Sequence, residues 1–291
     1  MGFRDPVGEA IGVLHPGLMG SAIAACFRHA GHEVVWVPSG RSDETARRAD
    51  EAGLARAKDL DDLVARCRVI LSVCPPHAAT DVANRLAATG LLEGHLFVDA
   101  NAISPNTARQ VAKIVEARGA SYVDGGIIGN PPPSEGGTRI YLSGEEAPVV
   151  AGLLEGNRVA GVDAVVMSAP PPAASALKMS YAAWTKGAAA LVLAVRAMAR
   201  HEGVEDELVG EWRQSVPALE PTFERAIQSA MTKGWRFVGE MEEIAATLRA
   251  ADLPDGSGRA AAEIFRRSPH LRPSGVLSQD ASVVIDALLS D

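Results

Sequence analysis

The sequence predicts an α/β fold: an N-terminal domain on a mostly parallel sheet, residues 1–167, followed by an all-helical domain, residues 168–291. Three observations lead there. Short apolar runs alternate with helical stretches up to about residue 167, the pattern of strand–helix–strand crossovers. The runs are continuously apolar rather than alternating, as strands covered on both faces are. Beyond the proline-dense Ser168-Ala-Pro-Pro-Pro-Ala173 no strand pattern recurs.

In chain order, Ala10–Leu14 reads as a first strand and Met19–Ala30 as a helix, with Glu33–Val37 the second strand. Arg68–Val73 and His95–Asp99 follow, each succeeded by a helical pattern (Ala78–Ala88 and Asn106–Arg118). Ser121–Asp124, Thr138–Leu142 and Ala164–Met167 complete the strands. A long helix from Ala173 to about Arg200 would span roughly 40 Å at 1.5 Å per residue, long enough for a spine shared between domains or subunits. Glu205–Trp212, Thr222–Met231, Gly239–Arg249 and Arg259–Arg267 read as further helices, followed by a polar tail.

The chain has 291 residues, 47% apolar and 22% charged, which excludes collagen, coiled coil and disordered tails. A formal net charge of −8 gives no footprint for nucleic acid or an anionic membrane. Cys26, Cys67 and Cys74 show no CxxC spacing, and Met1–Glu9 lacks the apolar core of a signal peptide, so the expected location is cytoplasmic. Ala173–Val195 is apolar enough to resemble a membrane span. Lys178 and Lys186 lie inside it, each costing about 2.5–3.5 kcal/mol at a bilayer centre, so a buried helix of a soluble protein fits better. His29, His32, His95, His201 and His270 form no ligand spacing, and no metal is expected.

Chemistry concentrates first between strand one and helix one. Gly12-Val-Leu-His-Pro-Gly17-Leu-Met-Gly20 stands where a glycine loop cradles a dinucleotide pyrophosphate on a helix N-terminus. His15 stands where the fingerprint has its first glycine, the one for the tight turn, and Pro16 partly compensates by stiffening that turn. Gly17 permits close backbone approach and Gly20 permits tight helix packing, with Leu18 and Met19 between them counted among the cofactor-binding residues. After the second strand the ribose-facing position carries no acid until Asp43. Ser39, Arg41 and Ser42 stand there instead, and Arg offers a planar fork to a 2′-phosphate, so the expected cofactor is NADP.

The ordered set of motifs resembles the β-hydroxyacid dehydrogenase family, which includes 6-phosphogluconate dehydrogenase-like proteins and imine reductases. Ile11–Gly20 resembles the family's opening loop, and Ser72-Val-Cys-Pro-Pro76 the loop that runs under the cofactor. Val98–Pro105 resembles the segment approaching the nicotinamide, and Val123-Asp-Gly-Gly-Ile-Ile-Gly129 the substrate-binding glycine motif. Lys178 falls on the catalytic lysine. The resemblance implies a Rossmann domain plus a helical domain, dimerised through long helices. It implies cofactor contacts from Val73, Cys74, Pro75, Pro76, His77 and Asn101, the last toward the carboxamide. It implies substrate contacts from Ile128, Gly129 and Asn130, with Trp235 and Glu240 closing the pocket. Ile128 stands where the family has a carboxylate-binding Ser, Asn130 where it has Gly, and Ala182 where it has Asn. A larger or less polar small-molecule substrate follows.

Lys178, Tyr181 and Thr185 lie at i, i+3 and i+7, on one helix face. A hydride arriving at a C=O carbon needs a proton delivered to the oxygen. A partly desolvated ammonium can deliver it, with the Tyr181 hydroxyl next best and Thr185 toward the substrate. The expected function is NADPH-dependent interconversion of a carbonyl and an alcohol. The alternatives are reduction of a C=N bond, against which Lys178 itself speaks within the family, and a catalytically silent NADP-binding regulator.

Overall fold

The computed structural model describes residues 10–133, 137–155, 161–269 and 282–290. The readings made on Met1–Glu9 and His270, and on most of the tail, lie outside these residues. Cα proximity divides the chain into two compact units, Met1–Lys178 and Met179–Asp291. The change in sequence character falls near residue 168, whereas the units divide further along, inside a helix whose first turn belongs with the sheet.

The first unit alternates strands and helices: β1 (Ile11–Val13), α1 (Leu18–His29), β2 (Val34–Trp36), α2 (Asp43–Glu51), β3 (Ala55–Arg56), α3 (Leu60–Arg66) and β4 (Val69–Ser72). A 3-10 turn (Pro76–Ala78), α4 (Ala79–Ala87), β5 (Leu96–Asp99), α5 (Pro105–Glu116), β6 (Ser121–Ile128), β7 (Thr138–Ser143), α6 (Ala147–Leu153) and β8 (Val162–Val166) follow. They form one eight-stranded sheet in the order β3-β2-β1-β4-β5-β6-β7-β8. All neighbours pair parallel except β6 with β7. Strand order reverses between β1 and β4, and the loops leaving their carboxyl ends flank the crevice where open α/β sheets bind ligands.

The continuous apolar runs are explained by burial on both faces. Ile11, Val13, Val69, Leu71, Leu96 and Val98 pack into one core layer, while Val35, Ile70 and Phe97 between them pack into the other. At Gly12 a Cβ would come within 2.6 Å of Leu63 Cδ2, so the glycine lets α3 lie against β1. Neither α2 nor α3 has an apolar stripe long enough to read in sequence. Their starts are set instead by side-chain caps: Ser42 accepts from Thr45 N–H, and Asp59 from Asp62 N–H. Ser104 caps α5 in the same way.

α7 (Ala173–His201) begins in the first unit and continues into the second, which comprises α8 (Glu205–Ser215), α9 (Leu219–Ala250), α10 (Gly256–Arg267) and α11 (Ser282–Leu289). Two corrections to the sequence reading arise here. The helices expected at Thr222–Met231 and Gly239–Arg249 are one continuous helix, α9. Gly234, which looks like a break, is buried where α9 faces Phe265 of α10 and Ser268 just after it. The supposed polar tail contains α11, whose Val284, Ile285 and Leu288 are buried.

Candidate functional site

The glycine loop emerges from β1 into the start of α1. Gly17 is the cap residue of α1, in extended conformation and with no side-chain cap, so the first N–H groups of the helix have no side-chain partner. A Cβ at Gly17 would meet nothing within 4 Å, whereas one at Gly20 would strike the His15 carbonyl oxygen. Gly17 therefore leaves the helix N-terminus open, and Gly20 lets α1 pack against its own loop. Pro16 is buried beneath, Leu18 is exposed and Met19 is half-buried.

Arg41 reaches back over this loop from the end of β2. Its Nη2 donates to the Leu14 carbonyl at 2.9 Å, and its Nη1 donates to His15 Nδ1 at 2.8 Å. A guanidinium only donates, so His15 presents a lone pair and is neutral. Burial, reinforced by the charges of Arg41 and Arg85, holds its pKa down at about 4. Among the described residues no carboxylate pairs with Arg41, and its Nε is buried without a partner. Arg85 of α4, which the sequence reading missed, acts electrostatically on both Arg41 and His15. The result is a positive rim whose guanidinium has no carboxylate partner among the described residues. Ser39 is exposed beside it, and Ser42 is committed to capping α2. An open helix N-terminus and an uncompensated guanidinium are what a pyrophosphate and a ribose phosphate require, so these residues fit the expected cofactor.

Across the crevice, the loops after β4 and β5 are tied together. Asn101 Oδ1 accepts from Cys74 N at 2.5 Å and its Nδ2 donates to Ser72 Oγ at 3.1 Å. Both ends of this buried amide are thus engaged in holding the loop of Val73, Cys74, Pro75, Pro76 and His77, rather than turned toward a carboxamide. Pro75 and His77 are exposed and Val73 and Pro76 half-buried. Asp99 lies beneath, wholly buried, accepting from Asn101 N at 3.1 Å and from the Tyr122 hydroxyl at 3.3 Å. Burial, aided by the charge of Asp124 on the neighbouring strand, raises its pKa to about 7. Burial and Asp99 together push the Cys74 thiol up to about 12, so it is not a nucleophile near neutrality.

The glycine motif expected to bind substrate lies at the end of β6. Ile128 is buried, Gly129 adopts φ +127°, and the Asn130 carbonyl accepts from Thr138 Oγ1 at 2.5 Å. Two further residues of the same strand meet α7. Asp124 Oδ2 accepts from Ser175 N at 3.0 Å and from Ser143 Oγ at 2.9 Å, while its Oδ1 accepts from Ser175 Oγ at 2.5 Å. A Cβ on Gly126 would lie 2.6 Å from the Ala174 carbonyl oxygen and 3.3 Å from Lys178 Cβ, which places half-buried Lys178 directly over β6.

Along the rest of α7, Tyr181 and Thr185 are exposed, and Thr185 Oγ1 donates to the Tyr181 carbonyl at 3.0 Å. In the second unit Glu240 forms a part-buried ion pair with Lys186, whose ammonium also stands 4.3 Å from the Phe237 ring centroid. Glu240 therefore has a structural partner of its own, and Trp235 on the same helix is exposed. By length and hydropathy α7 qualifies as a candidate membrane span. Several of its polar groups, however, are met by protein: the first turn by Asp124, Lys186 by Glu240, and Arg196 and Arg200 by Glu205. Among the described residues no three His, Cys, Asp or Glu side chains group as metal ligands.

Residues 10–152 match the model of the NAD binding domain of 6-phosphogluconate dehydrogenase, and residues 199–268 match a domain of unknown function, DUF1932. An uncharacterized 28.5 kDa protein from the 7S RNA 5′ region of Methanothermus fervidus is 31% identical over 199 residues, covering 68% of this chain and 74% of that protein. The 3-hydroxyisobutyrate dehydrogenase of Mycobacterium tuberculosis superposes with a TM-score of 0.70 at 18% identity, over 97% of this chain and 100% of that one. A reductive aminase from Aspergillus terreus, solved with NADPH and ethyl-5-oxohexanoate, gives 0.56 at 20% identity, over 89% and 93%. At such identities the two structures establish a shared fold.

Asp99 gives a pH test of this architecture. Its carboxyl titrates at about 7 in the folded chain against an ordinary value near 4 when unfolded. Between those values the folded state holds the extra proton, so this group makes stability fall as pH rises through the window, by up to about 1.4 kcal/mol per pH unit. Asp99→Asn keeps an oxygen for Asn101 N–H and removes the titration. Urea unfolding at pH 5 and pH 8 should show the variant gaining on the wild type at the higher pH. Parallel pH profiles would refute the assignment.

Proposed function

The chain belongs to the β-hydroxyacid dehydrogenase family, as a 6-phosphogluconate dehydrogenase-like member, and we propose that it is an NADP-dependent oxidoreductase acting on a carbonyl/alcohol pair, with Lys178 as proton donor and acceptor. The observation that carries the choice of NADP is the Arg41 rim: a part-buried guanidinium with an orphaned Nε, a neutral histidine as its neighbour, Arg85 nearby, and no acid paired with it among the described residues. An acid at this place would bind a ribose 2′-hydroxyl and repel a 2′-phosphate; Arg41 does the reverse. In this reading Gly17, Leu18 and Met19 offer backbone N–H groups to the pyrophosphate, and Arg41, Ser39 and Arg85 hold the 2′-phosphate.

Bound NADPH supplies the hydride. As negative charge develops on the carbonyl oxygen, Lys178 Nζ delivers a proton to it and becomes a neutral amine; in the oxidative direction the amine takes the hydroxyl proton. Tyr181, on the same helix face, offers its hydroxyl to the substrate. Ile128, where a polar carboxylate anchor would otherwise stand, gives the pocket an apolar wall. That favours carbonyl compounds bulkier or less polar than a small hydroxy acid.

The proposal includes a cytoplasmic homodimer through the helical unit. Trp184, Leu191 and Met198 are exposed at spacings of seven residues along α7. That is the seam spacing by which a helix packs on another of its kind, so the occupant is a second copy of this chain. Light scattering should report a dimer, and Trp184→Glu should shift it toward monomer; a wild-type monomer at micromolar concentration would remove this part of the reading.

Fluorescence titration should show tighter binding of NADPH than of NADH. Arg41→Ala should weaken NADPH at least tenfold, about 1.4 kcal/mol, and leave NADH nearly unchanged. A wild-type preference for NADH would overturn the choice of cofactor. Against a panel of β-hydroxy acids, aldehydes, ketones and cyclic imines, Lys178→Met should lower kcat on the best substrate by about 10²–10⁴. Full turnover by that variant would exclude Lys178 as the proton donor, and a clear preference for imines would place the chain with the C=N reductases.

A further inference from the structure

We infer that Asp124 is a positioning residue for Lys178: its buried carboxylate fixes the first turn of α7 on β6, and so sets where the ammonium stands. The inference rests on the reading of Lys178 as the proton carrier, and adds to it a group that touches neither substrate nor cofactor.

The first N–H groups of any helix lack intrahelical partners, and those of α7 emerge where water is excluded. Asp124 is fully buried, as are Ser143 and Ser175. The Ser175 N–H ends on Asp124 Oδ2 at 3.0 Å, and the Ala174 N–H ends on Ser143 Oγ at 3.2 Å, whose hydroxyl donates to the same carboxylate oxygen at 2.9 Å. The Ser175 hydroxyl donates to Oδ1 at 2.5 Å. Two strands, β6 and β7, thus grip one helical turn through a single carboxylate. A negative charge at a helix N-terminus is also favoured by the helix dipole.

Orientation follows from spacing. Asp124 and Gly126 lie on the same face of β6, two residues apart, and Ser175 and Lys178 on the same face of α7, three apart. Asp124 holds Ser175, and the missing Cβ of Gly126 leaves room for the Ala174 carbonyl and Lys178 Cβ. One contact is attractive and the other is a steric allowance. Together they fix both the rotation and the height of the turn that carries Lys178. Asp99 is Asp124's register partner on β5, but its bonds go to Asn101 N and Tyr122. The two buried acids therefore hold different parts: Asp99 the loop after β5, Asp124 the catalytic turn.

The test uses the full chain with NADPH and the best substrate from the panel. Asp124→Asn cannot accept at both positions, Ser175→Ala removes one hydroxyl, and Ser175→Thr restores it. Hydrogen exchange of the peptide covering residues 173–180 should quicken at least tenfold in Asp124→Asn. Its kcat should fall at least tenfold, with substrate KM and NADPH Kd within threefold of wild type. Ser175→Ala should show a smaller loss in the same direction, and Ser175→Thr should recover wild-type kcat; this pair decides the matter if Asp124→Asn fails to fold. Wild-type kcat in Asp124→Asn or Ser175→Ala, while Lys178→Met is impaired, would overturn the inference alone. So would a loss of kcat accompanied by faster exchange throughout the chain. Full turnover by Lys178→Met would instead overturn the functional reading, and the positioning role with it.

Discussion

Where α7 meets the sheet, backbone N–H groups need acceptors and no water is at hand to provide them. An unpaired buried amide costs about 1–3 kcal/mol, so a helix could not begin there without an acceptor on the strand beneath it. Asp124 provides it, and the requirement shapes what surrounds it. Ser143 has to lie on β7 opposite Asp124, which the antiparallel pairing of β6 and β7 achieves. Ser175 has to open the helix, and Gly126 has to lack a side chain. The one antiparallel pair in a mostly parallel sheet thus coincides with the helix start that carries the candidate proton donor.

The crevice between β1 and β4 is built by the opposite strategy. Acceptors and donors at Asp124 are matched within the protein. At Arg41 charge is left unmatched, and the nearest partner, His15, can accept a hydrogen bond without neutralising anything. Holding a guanidinium part-buried beside Arg85 lowers its pKa and costs stability, an arrangement typical of sites completed by a ligand.

The strands of the first unit were legible because burial on both faces leaves uninterrupted apolar runs. α2 was not: nine residues with only Ala49 buried show no stripe, and its Ser42 cap is one polar residue among several. A two-residue strand such as β3 is below what periodicity can register. α9 looked divided because Gly234 punctuates the pattern, yet that glycine serves close helix packing. Within the site, the glycine loop could be read because its pattern is local to one turn, and Arg41 because it follows the second strand where an acid is usual; its bonds to Leu14 and His15 could not. Arg85 and the Asp124–Ser175 bond could not. Each depends on residues far apart in sequence meeting across the sheet, and no spacing along the chain encodes that. Asn101 shows the converse: its place was legible, but the two loops it joins were not.

The chain carries a formal charge of −8, and the Arg41 rim is a small positive island on it. Fields of net charge act at range, within about a Debye length of 10 Å at 0.1 M salt, while hydrogen bonds and orphaned donors act only on contact. On the proposed reading, a phosphorylated dinucleotide would not be drawn in from solution by the net charge; the Arg41 rim would retain it after it arrives. Under that reading, discrimination between cofactors that differ by one phosphate would reside in how long each stays bound, not in how often each is encountered.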